Sequence, residues 1–158
     1  MTHSSLKVGL GFGVASGVMT TLGLMVGLYS STYSQTAVLG GILMIAIADA
    51  FSDAAGIHFS EESRGMHTTK EIWLSTIFTF GVKFIVALTF APAIFILPLQ
   101  YGILFNIIWS FLLVSSYSFV IAKMHRENPY KAVLEHFILM VVVVVGTYYA
   151  GLAIDALV

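Results

Sequence analysis

Two aspartates, Asp49 and Asp53, stand one helical turn apart in the segment A-D-A-F-S-D-A-A-G-I-H-F-S-E-E-S, inside a stretch that otherwise reads as membrane-spanning. An acidic side chain at the centre of a membrane helix costs roughly 3 kcal/mol on insertion scales, so a pair of them needs a partner or a task. Carboxylates in such a place can bind a cation, carry a proton, or be neutralised by a buried base. Lys83, inside a later apolar run, is the base available. The chain has no cysteine, which removes disulfides, thiolate nucleophiles and cysteine-type metal sites. Any metal must be held by carboxylate, imidazole, hydroxyl, carbonyl or the thioethers of seven methionines.

The elements that position these groups follow from composition. Of 158 residues, 58% are hydrophobic and 9% charged, against about 25% charged in a soluble domain. The expected class is an all-α integral membrane protein, one transmembrane domain over residues 1–158, with the lipid bilayer as its surroundings. A net charge of −1 gives no support for a nucleic-acid partner. Five apolar runs are long enough to span, at 8–29, 36–59, 72–97, 103–122 and 133–157. The joints at 30–35, 60–71, 98–102 and 123–132 are polar or carry proline. The N-terminus M-T-H-S-S-L-K shows no small-x-small cleavage site and reads as the start of a retained first helix.

Cations set the orientation. Lys7, Arg64, Lys70, Lys123, Arg126 and Lys131, six of the seven, fall on one side of such a bundle. The N-terminus is therefore expected in the cytosol and the C-terminus outside.

Helix one carries Gly9, Gly13, Ser16, Thr20, Gly23 and Gly27, stepping by 4, 3, 4, 3 and 4 into one continuous stripe. Helix two carries Ala46, Asp49, Asp53, Gly56 and Ser60 at matching steps. Small residues let backbones approach closely in lipid, which predicts a close seam between helices one and two. Tight helix packing alone would account for the glycines, but not for the aspartates. At a rise of about 1.5 Å per residue, Asp53 and Ser16 fall roughly 10–12 Å deep, and Asp49 and Lys83 roughly 16 Å deep. The expectation is that Lys83 neutralises Asp49, while Asp53 faces Ser16 without a counter-ion. The plainer reading of Asp49 and Lys83 is an ion pair that joins two helices.

Around this centre the sequence says less. Glu61, Glu62 and His67 cluster at the cytosolic mouth, either as ordinary solvated loop residues or as an acidic entrance that concentrates cations. His58 lies about 180° from Asp49 around the helix and is expected as an interfacial histidine or a contact to another helix rather than a ligand beside the aspartates. Pro92 and Pro98 predict a kink or break near the outer end of helix three. Ser110, Ser115, Ser116 and Ser118 are expected to satisfy backbone carbonyls within the bundle, and Tyr148 and Tyr149 fit an outer aromatic belt.

The segments G-F-G-V-A-S-G-V-M-T-T-L-G-L-M-V-G and A-F-S-D-A-A-G-I-H-F-S-E-E-S resemble the vacuolar iron transporter family. In that family the first helix typically reads S-D-G-L-V-T-T-L-G-L and the second A-x-S-M-A-x-G-E-F-x-S. The proline-bearing third helix, the loop K-M-H-R-E-N-P and a glycine-bearing fifth helix extend the resemblance over nearly the whole chain. It implies a five-helix homodimer with a cytosolic N-terminus that exports ferrous iron or manganese in exchange for protons. Three positions depart from the pattern: the helix-one aspartate is Ser16, the helix-two methionine is Asp53, and the nearby glutamate is Ile57. The glutamate-rich module of plant-type members, between helices two and three, has no room in 60–71.

The expected function is thus a divalent-cation transporter of iron or manganese, a homodimer through helices one and two in a prokaryotic plasma membrane. No prosthetic group is expected; divalent cations and protons are the cargo. Asp53 is the main carboxylate, Ser16 and Thr20 are supporting oxygens, and Asp49 with Lys83 serves proton coupling or structure. Gly9, Gly13, Gly23, Gly27 and Gly56 serve packing. Two alternatives stand beside it. One is a membrane interaction or regulatory protein that keeps the fold without transport. The other is an intramembrane lipid-phosphate transferase, to which D-x-x-x-D points only weakly because D-G-x-x-A-R is missing. An enzymatic role is not expected.

Overall fold

The computed structural model describes the backbone of residues 2–157 and the side chains of residues 9–157. Lys7, counted above for orientation, lies outside the described side chains. Every element is a helix, and no strand occurs among the described residues. The elements are α1 (Thr2–Thr32), α2 (Gln35–Met44), a wider turn (Ile45–Asp49), α3 (Ala50–Arg64), α4 (Thr69–Leu88), α5 (Ala91–Ile96), α6 (Leu99–Met124) and α7 (Pro129–Asp155). They make five segments long and apolar enough to cross a membrane: Gly9–Thr32, Gln35–Arg64, Thr69–Ile96, Leu99–Met124 and Pro129–Asp155.

Helices run further into the polar joints than hydropathy predicts. Residues 60–64 continue α3, and Gly65 ends it in the left-handed conformation at φ 63°. Thr68 then starts α4 with a reciprocal capping box, its side chain and backbone paired with Glu71. The joint expected over 60–71 therefore shrinks to Gly65–Thr68. Asn128 caps α7 by accepting from the N–H groups of Tyr130 and Lys131.

The break expected in helix three is present. Pro92 cannot donate a backbone hydrogen bond, and α4 ends at Leu88 before α5 resumes at Ala91. Asn106 of α6, fully buried, donates to the Phe90 carbonyl at this break across 2.8 Å. Ser110 and Ser118 return their hydroxyls to carbonyls of their own helix at 2.7 Å, as expected. The core packs Val18, Leu22 and Met25 of α1 against Ile42, Phe90, Ile103 and Met140.

The glycine stripe of α1 does not form the predicted seam with helix two. A Cβ on Gly9 would fall 2.7 Å from the Ser75 carbonyl, and one on Gly13 would meet Val82 at 3.0 Å, both on α4. Gly23 and Gly27 lie against Val143 and Thr147 of α7. These four glycines thus serve two other helices of the same chain, two on each, while Ser16 of the same stripe does reach helix two, at Asp53. Gly56 has nothing within 4 Å and is exposed.

A buried lysine between two aspartates as candidate functional site

Three segments converge on one charged node. Lys83 of α4 is fully buried, and its Nζ lies 2.5 Å from Asp49 Oδ2. The same ammonium is paired with Asp53 Oδ2 and donates to Ser16 Oγ across 2.9 Å. Ser16 Oγ in turn donates to Asp53 Oδ2 across 2.5 Å. The hydroxyl therefore accepts from the base and donates to the acid, bridging α1 to α3 and α4.

Asp53 is thus not the uncompensated acid that arithmetic along the helix axes predicts. Equal depth assigns Lys83 to Asp49 alone, but a lysine stem of four methylenes reaches a full turn along its neighbour. The wider turn contributes too. The Ala50 N–H bonds to the Ile45 carbonyl five residues back, opening the helix just before Asp49 where it packs on α4.

Gly17, absent from the predicted stripe, makes room for the lysine. A Cβ there would fall 3.3 Å from Lys83 Cγ, so the bare glycine lets the stem run along α1. The i, i+4 spacing of Gly13 and Gly17 is the sequence signal for this contact. Thr20 spends its hydroxyl hydrogen on the Ser16 carbonyl at 2.8 Å rather than on the carboxylates.

The carboxylates are not sealed. Asp49 is 33% exposed and Asp53 20%, whereas Lys83 behind them is inaccessible. Asp49 borders a largely apolar groove of about 660 Å³ between α1, the wider turn and α7, with Thr20, Gly23, Gly27, Thr147 and Gly151 on its walls. With all three groups ionised the node carries one net negative charge. Its oxygens are hard ligands, suited to manganese more than to soft metals. Among the described residues, no three of histidine, aspartate and glutamate come together in a metal-binding group.

The remaining expected residues lie elsewhere. His58 Nδ1 is 3.0 Å from Thr76 Oγ1, and its ring meets Trp73, away from the node. Glu61 and His67 do meet, at 2.5 Å, and Arg64 reaches Glu61 at 3.1 Å. Glu61 is only 1% exposed, so it is not part of a solvated acidic mouth. Glu62 alone of the two glutamates faces outward. The burial of Glu61 follows from α3 continuing past the expected helix end, which turns that residue inward against the joint. Compared with family models, with curated proteins and with solved structures, the chain finds no match in any of the three.

Proposed function

We propose that the chain is a membrane transporter that exports a divalent transition-metal cation, manganese or ferrous iron, from the cytosol in exchange for protons. The observation that carries this reading is the part-exposed pair Asp49 and Asp53 within a candidate membrane span, with Asp49 bordering an open groove. Ionisable groups at such depth are costly, and they mark ion paths more often than struts. A carboxylate accepts either a proton or a cation, and alternation between the two couples their movements. The cations Arg64, Lys70, Lys123, Arg126 and Lys131 support a cytosolic N-terminus and an outer C-terminus.

A homodimer belongs to the same reading. Because the glycines of helix one are engaged within the protomer, contact between copies falls to the open face of helix two around Gly56. The test is transport in proteoliposomes: wild type moves manganese down an imposed gradient, and Asp53→Asn does not.

One observation favours a second reading. Lys83 is already paired with both carboxylates, as it would be in a membrane interaction or regulatory protein with no cargo. Calorimetry separates the two. Manganese binding that Asp49→Asn or Asp53→Asn abolishes supports transport, and the absence of binding in wild type supports the second reading.

A further inference from the structure

We propose that the Lys83 ammonium is a tethered cation occupying the position a transported ion takes, so that lysine and cargo compete for the same oxygens. This rests on the transport reading above and names how that site is regulated. Three oxygens surround the ammonium: it donates to Ser16 Oγ and Asp53 Oδ2 and is ion-paired with Asp49 Oδ2. Every contact of the charged group is one that a hard cation would also make. The lysine enters from the closed side, along Gly17, and leaves the outer faces of both carboxylates open.

The consequence is a site of moderated strength. A transporter must bind its ion well enough to load it and weakly enough to release it. Two bare carboxylates and a hydroxyl in a low-dielectric surrounding would hold a divalent cation tightly. The tethered ammonium halves the net charge of the node and uses the inner oxygens, so an arriving cation must draw the carboxylates away from it. Release is then assisted by the lysine returning to its three oxygens. Lys83 acts on affinity, whereas Asp49 and Asp53 hold the ion.

Manganese is the probe, and its free concentration is read by electron paramagnetic resonance on protein purified in detergent. K83M is expected to bind one manganese per chain about tenfold or more tightly than wild type. K83R, which keeps the charge, stays within about threefold of wild type. The gain vanishes in K83M/D53N. Binding by K83M that is no tighter than wild type overturns the competition and leaves the lysine as a strut between helices. Should K83M alone fail to fold, D49N/K83M carries the same net charge as wild type; it is expected to bind more tightly than D49N, and equal or weaker binding overturns the proposal. If wild type and both lysine variants bind no manganese, the transport reading falls together with this one. Wild-type binding that K83M leaves unchanged removes only the competition.

Discussion

Ser16 Oγ donates to Asp53 Oδ2 across 2.5 Å, and Lys83 Nζ donates to the same hydroxyl across 2.9 Å. The serine thus joins residues 37 and 67 positions away in the chain at a single oxygen. Ser16→Ala removes that bridge and leaves the ammonium one acceptor short. The expected cost is about 1 kcal/mol, read from the unfolding midpoint in detergent, with manganese binding weakened less than by Asp53→Asn.

Loss of the lysine should cost more than loss of the lysine together with one aspartate. Lys83→Met leaves two carboxylates without a counter-ion and is expected to destabilise the cation-free protein by about 3 kcal/mol. Adding Asp53→Asn removes one of those charges, so the double variant is expected to be more stable than Lys83→Met alone. Denaturant unfolding of the four proteins in the cycle measures the coupling directly.

Glycines in the two stripes should respond in opposite ways. Gly13→Leu forces a side chain into Val82 and the Thr79 carbonyl, which a Cβ alone would approach to 3.0 and 3.1 Å. The expected cost is about 1–3 kcal/mol. Gly56→Leu meets open space within the protomer and should leave its unfolding midpoint nearly unchanged, while lowering the dimer fraction seen by light scattering.

The break between α4 and α5 depends on Asn106. Asn106→Leu leaves the Phe90 carbonyl without its side-chain donor and removes the contact to Met25. A loss of about 1–3 kcal/mol is expected. The substitution lies apart from the Lys83 node, so manganese binding should be retained.

Hydropathy made the five spans legible, because each must bury about twenty apolar residues. It misplaced their ends, since residues 60–64 are polar yet remain helical beyond the apolar run and carry Glu61 into burial. The small-residue stripe of helix one signalled close approach, but spacing encodes a distance and not a partner. Helices three and five of the linear pattern, in α4 and α7, divide the glycines of that stripe where helix two was expected. For the node, the residue types were legible and the pairing was not. Axial depth ranked Asp49 and Lys83 as level but carries no information about the reach of a lysine stem or the wider turn before Asp49. The groove beside Asp49 forms from the parting of α1, α7 and the wider turn, a relationship no single segment encodes.

Manganese transport by Asp53→Asn decides whether this carboxylate carries the ion. Proteoliposomes carrying wild type and the variant at equal density are given the same manganese gradient, with uptake read by a trapped fluorescent indicator. Wild-type uptake is expected well above protein-free vesicles, and Asp53→Asn uptake at their level. Equal uptake by wild type and Asp53→Asn would contradict that role.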